Sequence, residues 1–175
     1  MIDPRRRLLL RGRVADATAA EVSAPQRPPW AGTEDAFTQR CTRCQACVPA
    51  CPRQVLAVGD GGFPVVHFER HGCDGCAGAP ACVAACAPQA LRPASASAPW
   101  SGWRMRASEA CLAARRVECR ACGDACDAGA IAFRPAPGGI AQLRLDPAAC
   151  TGCGECVGVC PVRAITVRLG AAAPA

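Results

Sequence analysis

Tyrosine and lysine are absent from this 175-residue chain, which holds only four phenylalanines and three tryptophans. Aromatic side chains supply much of the area a domain buries. With so few, a large apolar core is hard to build, and something other than side-chain packing must fill the interior. Histidine is scarce too: His67 and His71 are the only two, and both read as solvated side chains. No stretch approaches the ~18 consecutive apolar residues of a membrane span. There is no Ser/His/Asp set, no phosphate loop and no dinucleotide fingerprint. "GDGG" at 59–62 is a turn, and the carboxylates are scattered. The chain is therefore read as a non-enzyme.

What the sequence has in excess is cysteine, sixteen residues in all. They fall into four tight groups: Cys41, Cys44, Cys47 and Cys51; Cys73, Cys76, Cys82 and Cys86; Cys111, Cys119, Cys122 and Cys126; Cys150, Cys153, Cys156 and Cys160. Disulfides staple distant segments and want matched Cβ vectors, with Cα atoms about 5.5–6 Å apart. Spacings of three and four residues rarely suit that geometry. They let thiolates converge on one centre instead. Zinc sites pair two two-cysteine knuckles across a longer loop, and these groups are too crowded for that.

Two groups share one pattern. "CTRCQACVPACP" (41–52) and "CTGCGECVGVCP" (150–161) both read C-x2-C-x2-C-x3-C-P, the bacterial ferredoxin signature. In two-cluster ferredoxins three cysteines of such a run hold one cubane and the fourth ligates the other. The inner groups depart from it. The second has a five-residue middle loop, "AGAPA", and its Pro88 comes one residue late. The third displaces its first ligand to Cys111 and carries Asp127 in the proline position. Crossed ligation predicts four sets: Cys41, Cys44, Cys47 with Cys86; Cys73, Cys76, Cys82 with Cys51; Cys111, Cys119, Cys122 with Cys160; Cys150, Cys153, Cys156 with Cys126. That makes up to four [4Fe-4S] clusters. A labile or three-iron cluster is the alternative at the Cys111 group.

The chain also reads as an internal duplication. "VLAV"–"GDGG"–"FPVVHF" follows the first group and "AIAF"–"RPAPGG"–"IAQLRL" the third. Each is a hairpin pattern, two β-prone runs about a Gly-rich turn. After every group comes an apolar pair, Val55-Leu56, Ala90-Leu91, Ala130-Ile131 and Ala164-Ile165, expected to pack on the clusters. "TEDAFTQR" (33–40) predicts a short helix capped by Thr33, with Phe37 turned inward. The expected class is α+β, a duplicated bacterial-ferredoxin-like fold. Each half has short hairpins and short helices around two [4Fe-4S] clusters. The expected units are an extended N-terminal segment (1–32), a first domain (33–91), a linker (92–108), a second domain (109–168) and a disordered tail (169–175). Trp100 and Trp103 in the linker read as a cover over the seam between halves, or as a docking surface.

The formal charge is +6. A basic balance is one mark of nucleic-acid binding, yet each cubane with four thiolates carries roughly −2 when oxidised, so four offset it. No nucleic-acid partner is expected. "RRRLLLRG" (5–12) looks like a twin-arginine export motif, but Asp16, Glu21, Gln26 and Arg27 break the apolar run such a signal needs. A retained basic segment is expected, with export as its alternative.

"RPPWAGTEDAFTQRCTRCQACVPAC", the segment "ACLAARRVECRACGDAC" followed by "AIAFRP", and the opening "RRRLLLRG" resemble the NapF family, ferredoxin-type proteins of periplasmic nitrate reductase operons. The resemblance covers residues 1 to about 168. It implies a cytoplasmic protein with oxygen-labile [4Fe-4S] clusters, ligated by the sixteen cysteines position by position. Its implied partner is the cytoplasmic precursor of the periplasmic nitrate reductase catalytic subunit, whose maturation before export it would assist. The second group's x5 loop departs from the family's usual x2. Alternatives are an electron-transfer polyferredoxin subunit and a scaffold with redox-inert clusters. A monomer is expected.

Overall fold

The computed structural model describes residues 25–93, 100 and 102–169. The expectations for the arginine-rich opening and for 170–175 lie outside the described residues. Among the described residues secondary structure is sparse and mixed, with four short α-helices and three two-stranded antiparallel sheets. Helix α1 spans Glu34–Arg40; its Thr33 cap accepts from the Ala36 N–H, and Phe37 is buried at 1% exposure. Three one-turn helices follow: α2 Ala81–Ala84, α3 Ala121–Asp124 and α4 Glu155–Gly158. The first cysteine group has only turns at the matching place.

The strands are β1 Leu56–Val58, β2 Pro64–Val66, β3 Trp103–Ala107, β4 Ile131–Arg134, β5 Gln142–Leu145 and β6 Ile165–Leu169. β1–β2 and β4–β5 are the two expected hairpins, registered Leu56 to Val66 and Ile131 to Leu145. β3 pairs antiparallel with β6, Trp103 opposite Leu169 and Ala107 opposite Ile165. This corrects two boundaries. The end of the expected linker is a strand, and Leu169 closes β6 instead of opening a tail. Alternating Trp103 and Met105 against solvent-facing Arg106 explains β3: Met105 is buried at 3% on a partner strand whose Val167 is buried at 2%. Near the N-terminus the corresponding pairing shrinks to single bonds. The Arg92 N–H donates to the Trp30 carbonyl (2.8 Å), and the Val66 N–H to the Gln26 carbonyl (2.7 Å). Arg27 ties this segment to α1 through Glu34 (2.6 Å) and lies over the Phe37 and Phe63 rings.

One turn occurs four times. Three residues beyond the last cysteine of each group stand Gln54, Gln89, Gly129 and Arg163, all with φ between 50° and 61°. Each donates its N–H to the carbonyl of that cysteine, at 3.0, 2.9, 2.8 and 3.1 Å. The left-handed residue reverses the chain and drops the following apolar pair inward. All eight members of those pairs are buried, from Val55 at 1% to Ile131 at 7%.

The N- and C-terminal portions interlock. One core cluster joins Phe37, Val55, Leu91 and Phe68 to Trp100 and to Val167 of β6. The Cys73 N–H donates to the Cys153 carbonyl (2.8 Å), and Arg53 forms an ion pair with Glu155. Glycines make the approach possible. A Cβ on Gly72 would stand 2.6 Å from the Glu155 nitrogen; on Gly154, whose φ is +86°, it would stand 2.4 Å from the Phe68 ring. Gly154→Ala should therefore destabilise the loaded protein more than Gly78→Ala, because Gly78 shares a positive φ of +91° but has nothing within 4 Å of its Cβ position. The expected difference is about 1–3 kcal/mol, the usual cost of overpacking. Thermal melts of the two variants under anaerobic conditions would check it, and equal midpoints would show that the seam is not tight.

Candidate metal centre

The turn that ends each group also shapes its site. The third cysteine sits deepest: Cys47, Cys82, Cys122 and Cys156 are 8%, 8%, 6% and 7% exposed. Cys82, Cys122 and Cys156 lie within α2, α3 and α4. The fourth cysteines, Cys86, Cys126 and Cys160, follow two residues beyond the end of each helix. The fourth cysteine is held by its own N–H, which donates three residues back to Val48, Val83, Gly123 and Val157 respectively.

Electrostatics shows which thiols meet. Burial pushes the Cys47 thiol up to about 11, with further upward contributions from Cys86, Cys41 and Cys44. Cys82 is pushed to about 12 by burial, then by Cys73, Cys51 and Cys76. Cys122 rises to about 11 through burial, Cys111, Cys119 and Cys160. Cys156 rises to about 12 through burial, Cys153, Cys122, Cys150 and Cys126. The structure thus brings together four sets of four, each with three cysteines of one group and the last of its partner group. Cys156 also feels Cys122, so the third and fourth sets adjoin. At the surface, by contrast, Cys44 has a lowered thiol pKa, because the Ala46 N–H and then the Thr42 hydroxyl hydrogen-bond to it.

Three of these sets line separate cavities. Cys51, Cys73, Cys76 and Cys82 line one, Cys126, Cys150, Cys153 and Cys156 a second, and Cys41, Cys44, Cys47 and Cys86 a third. Cavities with the same four donors fit the same occupant. Val55, Leu56, Leu91 and Ile131 from the buried pairs wall them. Among the described residues no three Cys, His, Asp or Glu side chains converge tightly enough to share one ion. A four-iron group, in which each iron takes its own thiolate, suits that wider spacing.

Other observations fit such a group. All sixteen cysteines are free thiols. Soft thiolates suit iron–sulfur chemistry, and ionised neighbours in a desolvated pocket need a positive centre between them. The Ala164 N–H donates to the Cys160 Sγ (3.2 Å), the kind of backbone bond that tunes a thiolate ligand. The indole Nε1 atoms of Trp30 and Trp100 are buried without a partner. Trp30 walls the Cys73 cavity. Trp100 packs edge-on against Phe68 and Trp103, with ring centroids 5.3 and 5.7 Å away, and meets Gly152. The two linker tryptophans therefore stand at the seam. His67 and His71 are exposed, as their sequence context predicted.

Residues 115–164 match a family model described as a 4Fe-4S dicluster domain, and residues 38–55 one described as a 4Fe-4S binding domain. Ferredoxin-type protein NapF of Escherichia coli K12 is 43% identical over 171 residues, 95% of this chain and 96% of that protein. Its counterpart in Haemophilus influenzae is 41% identical, covering 93% of both chains. This chain belongs to the ferredoxin-type protein NapF family. It is an iron–sulfur protein that binds multiple [4Fe-4S] clusters. One component of an ion-translocating oxidoreductase complex from Methanosarcina acetivorans is 35% identical over 75% of this chain and 48% of that protein. No solved structure matches.

The sequence did not single out Trp30, Gly72, or the Arg53–Glu155 pair. Trp30 carried a signal in its rarity: a chain with three tryptophans seldom spends one on solvent. Gly72 and Arg53 carried none, because their partners lie far along the chain.

The metal is expected to be structural as well as functional. Two-stranded sheets are marginal by themselves, and ligand and fold are linked where thiolates replace a core. Removing iron by anaerobic chelation should abolish most of the far-ultraviolet dichroism of the strands and helices. An unchanged spectrum in iron-free protein would show that packing alone holds the chain.

Proposed function

We propose that the sixteen cysteines bind four [4Fe-4S] clusters in two duplicated ferredoxin-like units, 33–91 and 103–169. The four ligand sets are Cys41, Cys44, Cys47 and Cys86; Cys51, Cys73, Cys76 and Cys82; Cys111, Cys119, Cys122 and Cys160; Cys126, Cys150, Cys153 and Cys156. Bound clusters supply one-electron chemistry; the chain's own residues hold, insulate and orient them. Burial of the third cysteine of each group and the apolar pair behind it keeps water from the inner side of each site. Cys44 is exposed, which leaves one corner of the first site open to a partner.

On this reading the chain is a cytoplasmic, monomeric accessory protein and not an enzyme. It binds the precursor of the periplasmic nitrate reductase catalytic subunit and assists its maturation before export, by supplying or reducing a cluster. The observation that carries the reading is identity of 43% to ferredoxin-type protein NapF along 95% of this chain, together with the nitrate reductase setting that the family resemblance implies. An electron-carrier reading is favoured by one separate feature. The Cys73 N–H donates to the Cys153 carbonyl, so cysteine groups from the two halves lie side by side.

Two measurements test these statements. Cys44→Ser should lower bound iron by one cluster's worth and leave the other sets loaded; unchanged iron content would reject the first ligand set. An anaerobic pull-down with this protein as bait should retain the unexported precursor of the catalytic subunit and not its mature form. Equal retention of both forms, or none, would favour the electron carrier.

A further inference from the structure

We propose that the indole N–H groups of Trp30 and Trp100 donate hydrogen bonds to sulfur at the site formed by Cys51, Cys73, Cys76 and Cys82, raising the reduction potential of its cluster. The inference rests on the ligand sets proposed above.

Native proteins pair nearly all of their buried polar groups, and an orphan asks for an acceptor. Among the described residues two buried side-chain polar atoms lack a partner, and both are indole nitrogens. Both lie beside the Cys73 thiol's site, Trp100 between it and the Gly152 loop. Trp30 lines the cavity beside Cys51, Cys73, Cys76 and Cys82. Trp100 is 2% exposed, and its indole comes within reach of the Cys73 sulfur. An indole N–H can only donate. Around the cavity the walls are mostly apolar, with Pro29, Pro52, Val55, Leu56 and Pro80; Arg53 can only donate, and the Asp74 carboxylate already accepts from the Cys76 N–H (2.8 Å). Sulfur of the ligands and of a bound cluster is the acceptor this geometry leaves.

A donor on sulfur draws electron density from it and stabilises the more negative, reduced state, so the potential rises. On reduction one electron enters from an external low-potential reductant; no bond breaks, and the proton stays on the indole nitrogen. The large apolar side chains at the Cys41 and Cys150 cavities, Phe37 and Met105, have no N–H to offer. The two tryptophans therefore distinguish one site from its neighbours. They act as positioning residues, through sulfur.

The test is an anaerobic redox titration of the full loaded chain, with dithionite as reductant and electron paramagnetic resonance as readout. Cys82→Ser first identifies the signal of this site. W30F and W100F should each shift that midpoint negative by tenfold or more in the reduction constant, about 59 mV for one electron. Iron content and the other signals should stay unchanged. W103F, which has no orphaned nitrogen, should shift nothing. An unmoved midpoint in fully loaded W30F and W100F overturns the proposal. If either variant loads poorly, wild-type protein carrying an isotope label in the indole nitrogen decides: coupling of that nitrogen to the reduced cluster supports the proposal, and its absence overturns it. A Cys82→Ser chain that keeps every signal would instead overturn the ligand set underneath.

Discussion

Thiolates that converge repel, and the structure depends on what relieves that repulsion. Each of four sites gathers four cysteines and sinks at least one of them almost out of solvent. Without a positive centre such a thiol stays protonated, because burial disfavours the anion and its neighbours disfavour it further. With iron present the same closeness becomes coordination. The metal thus takes the place that a large aromatic core holds in an ordinary domain. That explains how a chain with no tyrosine and four phenylalanines keeps a fold of two-stranded sheets and single helical turns.

The architecture repeats a small solution rather than building a large one. Gln54, Gln89, Gly129 and Arg163 adopt the same left-handed turn, and each accompanies the same hydrogen bond to the last cysteine of its group. Three of them are not glycine and carry the strain of that conformation, roughly 1–2 kcal/mol each. The strain is tolerated because the turn holds the last cysteine of the group and buries the apolar pair behind it. Where the repeat varies, the site changes. The five-residue loop of the second group includes Ala77, which follows Cys76, and the two have φ of 51° and 53°. That is the backbone's way of bringing Cys76 and Cys82 to one cavity despite the extra residues.

Close contact across the seam links structure to function. Gly72 and Gly154 let backbone meet backbone and ring, so the Cys73 and Cys153 loops touch. Trp100 fills the remaining space with its polar nitrogen turned inward. A site placed there is insulated from water while lying next to a site of the other half. Either handling of clusters or passage of electrons benefits from that placement.

Local chemistry was legible in the chain itself. Cysteine spacing defined the groups, Thr33 and its acidic followers defined α1, and alternating apolar runs about "GDGG" and "RPAPGG" defined two hairpins. These depend on residues a few positions apart, so short-range geometry determines them. The four apolar pairs were legible for the same reason. The linker reading of 92–108 failed at 103–107, because a strand on the edge of a fold needs a partner, and β6 lies some sixty residues along the chain. Only the tertiary structure decided which Gly is a contact, which Arg finds Glu155, and where the indole nitrogens of Trp30 and Trp100 lie. Those outcomes depend on surfaces that meet only after the halves have folded, and no local pattern encodes them.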